Sequence, residues 1–556
     1  MSNAEESQSE GDKLRSLGEE MLNAHLKRNP PLATQLGVHK YDHLLPEGSL
    51  AAKKEEIELL SRWKGALEEI EPEKLGEEDR LSRKLGLHFL RLSLYQETVL
   101  EQWRKNPTAP QTIGNALFPL LKRDFAPLEK RLESFRARLE KVPSFLEKSK
   151  ELLSQPVELW LDVARESGQR LPALFQVGLK MADDCDWEKD ERQKLEEAAE
   201  KARAALADYS NWLAENRPGA EEEFAIGSGK FKELLEAREL GYEGREILEL
   251  GKEYLRESRE EMERWTGEIE AGLSVKDAVK RVKSNRPESF QKALSWYRKG
   301  LEDAKGFIGG KNLATVPEGE RIEVTETPQY MRHLIPFAAY VPPAKFERGT
   351  GGTYLVTPPG EGEDLSNFSY WEVRNTTVHE GYPGHHLQLS AALEHEDIFR
   401  LFTTLTAVET IEGWAHYCEE MMKKYGFDDT PEARLLQAQD IRWRAARIVV
   451  DVKLSRGQMS YEEGVQFMAD TVDMEREAAQ AEVKRYTQNP AYQLSYLLGK
   501  KMIKDLREEI KEKMGGDFND HFFHDTILYG GSLPFKYLRE EFELKLKERS
   551  SACEQI

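Results

Sequence analysis

From about Leu14 to Lys305 the apolar residues of this chain recur every three or four positions, within windows rich in Leu, Ala, Glu, Lys and Arg. That period buries one face of an α-helix and cannot bury one face of a strand, so most of the chain must pack as amphipathic helices. Leu132, Phe135, Leu139 and Val142 display it. Proline and glycine fall between such windows, at Pro30-Pro31, from Pro107 to Pro110 and at Arg217-Pro218-Gly219, where they punctuate helices. No repeat of fixed period is present. Gly227-Ser228-Gly229-Lys230 has the look of a phosphate-binding loop, but the full spacing of that motif is missing and helical sequence flanks it.

Between Asn312 and Pro359 the pattern changes. β-Branched and aromatic residues alternate with polar ones in Arg321 to Thr327, Phe337 to Val341 and Thr353 to Thr357, separated by proline and glycine. These read as three short strands. Helical patterning then resumes through Leu401 to Lys424, Glu432 to Leu454, Tyr461 to Arg485 and Ala491 to Met514. The expected fold is mainly α, many helices around a deep cleft, with a small β-sheet just before the chemically unusual segment. The expected division is a disordered tail at 1–12, a helical lobe at 13–310 and a second lobe at 311–556. Within the second lobe the sheet is expected at 320–358 and the site helices at 366–425, followed by C-terminal helices; the two lobes are either separate or one continuous domain.

Apolar residues make up 39% and charged residues 33%, with both signs interspersed, which places the chain among globular proteins. A net charge of −21 disfavours nucleic acid, whose binding needs a surplus of Lys and Arg to displace counterions. No stretch approaches ~18 apolar residues, and the segment Met1 to Asp12 has neither the basic start nor the apolar run of a secretory signal. Cys185, Cys418 and Cys553 are far apart and lack metal-site spacing. A cytoplasmic protein with no membrane partner is therefore expected.

The chemistry concentrates in His379-Glu380-Gly381-Tyr382-Pro383-Gly384-His385-His386, which holds three of the 12 histidines. His379-Glu380 ends a helix that begins near Ser369 and opens like the H-E-x-x-H motif, in which two histidines one turn apart reach one zinc ion. Here the next histidines stand six and seven residues on, about 9 to 10 Å along a straight helix, too far for bonds of about 2 Å to one ion. Pro383-Gly384 resolves the conflict, because a proline at this place removes a helical hydrogen bond and clashes with the preceding turn. The helix must break, and the break can bring the histidines together.

A second constellation lies on the helix Leu401 to Lys424. Beside its apolar stripe, Leu401, Leu405, Val408, Ile411, Ala415, Cys418 and Met422, runs a polar one of Glu409, Glu412, His416 and Glu419. Such a stripe is commonly just a solvated edge. Gly413, however, is costly inside a helix and marks a place where another backbone or a ligand comes close. Glu412 is thus the expected third ligand.

These residues, with Trp414-Ala-His-Tyr417, then Arg485-Tyr486 through Pro490, Tyr496 and Gly499, and finally His524-Asp525 through Pro534, resemble the bacterial domain-of-unknown-function 885 family over nearly the whole chain. The resemblance implies a metallopeptidase-like fold of the gluzincin type, similar to helical carboxypeptidases of the Taq type. It implies one zinc per chain held by His379, His385 and Glu412, with Glu380 as general base. His386 is an alternative ligand to His385, and His416 and Glu409 are alternative or supporting ones. Tyr486 or Tyr496 would stabilise the oxyanion, and Arg485, Tyr354 and His524 would bind a short peptide. The strand Thr353 to Val356 could pair with that peptide as an edge strand. At Asp451-Val-Lys-Leu-Ser455 the chain departs from its relatives, which often place a histidine at the position of Ser455. The implied activity is carboxypeptidase- or dipeptidase-like; the alternatives are a di-metal carboxylate bundle, a hydrolase of non-peptide amides or esters, and a non-catalytic metal-bound scaffold.

Overall fold

Helix termini in this protein are written into local side chains. In the computed structural model, which describes residues 9–554 except 186, 217–223, 333–334, 336, 348 and 361–363, Ser9 caps the first helix, Glu10–Arg28, by accepting the Asp12 amide at 3.1 Å. The disordered tail expected at 1–12 is corrected from Ser9 onward, because this cap and the acidic first turn stabilise helix there; the rest of that tail lies outside the described residues. Ser460 and Glu463 form a reciprocal capping box on the helix Tyr461–Val472. The glycine-rich run at Gly227 is the first turn of the helix Gly227–Ala237. Among the described residues the chain is mainly helical, with one small sheet.

The chain divides into two compact units. The first comprises Met1–Phe224, Pro328–Leu334 and Ala344–Thr350. Its core is built on the helix Leu128–Ser149, where Leu132, Phe135, Leu139 and Val142 are all fully buried, as their spacing predicts. Arg138 is buried in the same helix. Its guanidinium donates to the carbonyls of Leu44 and Pro30 and to the Thr34 hydroxyl, which is what allows the charge to stay there.

The second unit comprises Ala225–Thr327, Ile335–Pro343 and Gly351–Ile556. The boundary therefore falls at Phe224, not near residue 310 as expected. The reason is packing: the helix Gly244–Ile269 lies along Pro431–Ser455, close enough that a Cβ on Gly251 would stand 2.9 Å from Ile448. Periodicity shows that a helix has an apolar face but not which helix covers it.

Strands β1 (Ile322–Glu326), β2 (Ala338–Val341) and β3 (Gly352–Val356) form one sheet in the order β1-β3-β2. β1 runs parallel to β3 with Val324 opposite Tyr354; β2 runs antiparallel to it with Tyr340 opposite Tyr354. β3 is thus central, and the expectation that it pairs with a peptide as an edge strand is overturned, because both of its hydrogen-bonding edges are occupied. No helix among the described residues is long and apolar enough to cross a membrane.

Candidate metal centre

The helix Tyr370–Glu380 follows the sheet and ends on His379 and Glu380. It stops because the next four residues fold back on it. The Gly384 amide donates to the Val378 carbonyl at 3.1 Å, and a Cβ on Gly384 would lie 1.9 Å from the His379 carbonyl oxygen, so only glycine fits. The Tyr382-Pro383 peptide is cis. A new helix, His385–Ala392, begins at once. The break brings the His379 and His385 rings to a centroid separation of 4.8 Å, nearly perpendicular to one another.

The third residue comes from the helix Val408–Lys424, which crosses Ser495–Met514 at glycine. A Cβ on Gly413 would stand 2.4 Å from the Gly499 carbonyl carbon, and one on Gly499 2.0 Å from the Glu409 carbonyl oxygen. The backbone approach inferred from Gly413 is real. This helix starts at Val408, not Leu401, which belongs to a separate short helix, Ile398–Thr404. Thr406 bonds the Phe402 carbonyl through its side chain at the break, as β-branched hydroxyl residues do when they compete with helix. Trp414 then donates from Nε1 to the Pro383 carbonyl at 2.8 Å.

His379 Nε2 and His385 Nε2 lie 3.8 and 3.5 Å from Glu412 Oε2, and the ligand atoms of the three residues all lie within 4.8 Å of one another. A tetrahedral zinc with bonds of about 2 Å needs ligand atoms about 3.3 Å apart. The donor set and its spacing fit that ion. Two of these three residues, His379 and Glu412, are also held from behind. His379 Nδ1 meets Glu419 Oε1 at 2.7 Å, which leaves Nε2 as the nitrogen that faces Glu412, and Glu419 in turn accepts from Asn375 at 3.2 Å. Glu412 turns its other oxygen, Oε1, to the Tyr492 hydroxyl at 2.9 Å. Burial alone would raise the Glu412 carboxyl, but His385, His379 and Tyr492 hold it down to about 2.

His386 faces the other way. Its Nε2 bonds Glu320 and its Nδ1 the Tyr340 hydroxyl at 2.8 Å, and Tyr382 donates to the same glutamate at 2.6 Å. His385 is therefore the histidine that joins His379, and His386 is corrected from alternative ligand to an anchor of β2. His416 Nδ1 lies 3.3 Å from Glu419 Oε1, and burial drives the ring down to about 3, so it stays neutral. Glu409 is taken by an ion pair with Arg238 and leaves the ligand candidates. Glu380 is half-buried, and its charge bears on His385 and on the Tyr354 phenol.

Several sequence-based assignments do not survive the packing. Tyr486 donates to Glu482 and accepts from Arg447 at 2.9 Å, so its proton is not available for an oxyanion. His524 is fully buried, with Nδ1 on the Leu313 carbonyl at 2.8 Å and Nε2 accepting from Tyr417 at 2.9 Å, which makes it structural rather than substrate-binding. Arg485 pairs with Glu482 at 2.9 Å. Tyr354 is fully buried on the central strand with its ring against Tyr297, 5.2 Å between centroids, which takes its side chain away from solvent. Tyr496 remains a candidate: its ring packs against His416, and burial followed by Glu412 pushes its phenol up to about 12, so it stays a donor. Sequence reasoning missed Tyr492, Asn375 and Glu320. Nothing in their local patterns marks them, since each is recognisable only by the residue it meets across the fold.

Ser455 donates to Asp451 Oδ1 at 2.9 Å.

Two solved structures share this architecture. One, a "putative lipoprotein of unknown function" from Shewanella oneidensis, has 22% identity and a TM-score of 0.77, covering 96% of this chain and 99% of that one. The other, a "putative lipoprotein" from Colwellia psychrerythraea, has 18% identity and a TM-score of 0.83, covering 97% of this chain and 100% of that one. No curated protein matches the chain. The cytoplasmic expectation is overturned by these two structures, since lipoproteins are lipid-anchored proteins and both are described as such; a low cysteine count does not by itself report a compartment. With residues 30–542 matched by the model described as bacterial protein of unknown function (DUF885), the chain belongs to the DUF885 family.

Proposed function

We propose that this chain is a zinc-dependent peptidase acting on short peptides, of the gluzincin type and related to helical carboxypeptidases of the Taq type, with one zinc held by His379, His385 and Glu412. The observation that carries this reading is the convergence of two imidazole nitrogens and one carboxylate oxygen at tetrahedral spacing, with Glu380 next to His379 in the chain and its charge bearing on His385. Three protein ligands leave a fourth position open, the hallmark of catalytic as opposed to structural zinc. Zinc in such a site supplies Lewis acidity, to a water molecule and to the scissile carbonyl.

The remaining work falls to side chains. Glu380 accepts the proton of the attacking water and delivers it to the leaving amine. Tyr496 donates to the oxyanion as it develops. β2, an edge of the sheet, replaces β3 as the strand along which an extended peptide can pair; its Tyr340 is anchored through His386 beside the centre. Glu482 is shared by the two guanidiniums of Arg447 and Arg485, and Arg447 lies 5.2 Å from the Tyr496 ring. Two guanidiniums against one carboxylate leave a net positive charge beside Tyr496, which favours substrates that present a carboxylate near the cleaved bond through its field and not through a direct contact with Arg485.

The test is hydrolysis of short peptides by the zinc-loaded protein beside Glu380→Gln. Wild-type turnover with loss of about 10²-fold or more in the variant, at unchanged zinc content, is expected from removal of the general base. Hydrolysis that survives the substitution unchanged would sink the mechanism. A second grouping, His379, His416 and Glu419, also brings ligand atoms within 4.8 Å, so two metal ions per chain would favour a di-metal enzyme instead.

A further inference from the structure

Tyr492, which holds Glu412, is itself set in place by a residue that touches neither. The segment from Asn489 to Leu494 joins the helices Arg476–Gln488 and Ser495–Met514. Within it Ala491 has φ +63°, a left-handed conformation that a residue with a Cβ adopts only when its surroundings impose it. The imposing group is Asp451, fully buried on the helix Pro431–Ser455. Its Oδ1 accepts the Ala491 amide at 2.9 Å and its Oδ2 the Gln493 amide at 2.7 Å, so one carboxylate grips the amides of both residues that flank Tyr492. Ser455 donates to Oδ1 as well, and Arg238 donates to the Ala491 carbonyl.

A buried carboxylate is costly unless its lone pairs are filled. Here they are filled chiefly by the backbone of one turn, and Tyr492, at the middle of that turn, reaches Glu412 Oε1 at 2.9 Å. Glu412 Oε2 is the oxygen that faces His379 and His385. Fixing Oε1 therefore fixes the rotation that presents Oε2. We infer that Asp451 is a positioning residue for the metal centre, acting through the Ala491–Gln493 backbone and the Tyr492 hydroxyl to orient Glu412. The inference rests on the metal-centre reading above. It also assigns a place to Ser455, as the hydroxyl that orients Asp451.

Zinc affinity, measured by competition with a chromophoric chelator, together with the visible spectrum of the cobalt-substituted protein, tests this on Tyr492→Phe, Asp451→Asn and the double variant. Thermal unfolding of each metal-free protein is followed in parallel. Tyr492→Phe and Asp451→Asn are each expected to weaken zinc binding by about 10- to 100-fold, the effect typical of an outer-shell partner. The double variant should be no weaker than Tyr492→Phe alone, because both act along one path. If Asp451→Asn lowers only the metal-free melting temperature and leaves zinc affinity and the cobalt spectrum at wild type, the inference is wrong. Additive losses overturn it too. Should Asp451→Asn not fold, Ser455→Ala provides the same comparison: its smaller loss of zinc affinity must vanish in the Tyr492→Phe background, and persistence there refutes the coupling. A wild-type chain that binds no zinc removes the metal-centre reading and this inference together, an outcome distinct from zinc binding that ignores Asp451.

Discussion

Trp414 Nε1 donates to the Pro383 carbonyl at 2.8 Å, and this single bond ties the helix that supplies Glu412 to the turn that returns His385 toward His379. Both partners are buried, and Trp414 has no exposure at all. Trp414→Phe leaves a buried carbonyl unsatisfied, which costs about 1 to 3 kcal/mol. A lower denaturant midpoint and weaker zinc binding are expected together, by chemical unfolding and chelator competition. Unchanged zinc affinity would show that the turn holds its shape without the tryptophan.

Glu419 is bonded to the nitrogen of His379 that faces away from the centre. Glu419→Gln is expected to lower zinc affinity about 10- to 100-fold while leaving one zinc per chain at saturation. Equilibrium dialysis with metal analysis reads both quantities.

Gly413 and Gly267 separate packing from propensity. Gly413→Ala places a Cβ 2.4 Å from the Gly499 carbonyl carbon and should cost about 1 to 3 kcal/mol by forcing two helices apart. At Gly267, in the helix Gly244–Ile269, an added Cβ meets nothing within 4 Å. Gly267→Ala should therefore stabilise the protein by up to about 1 kcal/mol. Denaturation curves of opposite sign are the expected result.

Burial holds His524 down to about 4, against an ordinary value of 6.5. The unfolded chain takes up this proton first as pH falls, so the contribution of neutral His524 is complete above pH 6.5 and is lost as pH drops toward 4. The loss amounts to about 3 kcal/mol by a shift of this size. Unfolding free energies of the wild type and His524→Gln, measured from neutral to acid pH, should converge as the pH falls; a gap that stays constant would place the titration elsewhere.

Much of this protein is legible along the chain because its signals are local. The period of Leu132, Phe135, Leu139 and Val142 places a buried helix where one is found. The alternation at Arg321 to Thr327, Phe337 to Val341 and Thr353 to Thr357 finds all three strands to within a residue or two. Pro383-Gly384 shows that the helix through His379 must break, and Gly413 that a backbone or a ligand comes close to the helix of Glu412, which in the fold is the backbone of Gly499. Steric exclusion at proline and glycine acts within a few bonds, so a sequence carries it openly.

The assignments that failed have another character. Tyr486 and His524 have the chemistry of catalytic groups, but a hydroxyl or imidazole is available only if nothing else has claimed it, and Glu482, Leu313 and Tyr417 have. Arg485 is likewise drawn into an ion pair with Glu482. Strand order follows the same logic: β3 looks like β1 and β2 in isolation and becomes central only through its two neighbours.

The sequence by itself determined the helical character, the three strands and the break between the histidines, because each is a property of side chains and of backbone within one or two turns. Only the tertiary structure decided that His385 and not His386 joins His379, that Glu419 and Tyr492 hold His379 and Glu412 from behind, and that the units divide at Phe224. These depend on hydrogen bonds and packing between segments tens to hundreds of residues apart, where no local preference reaches.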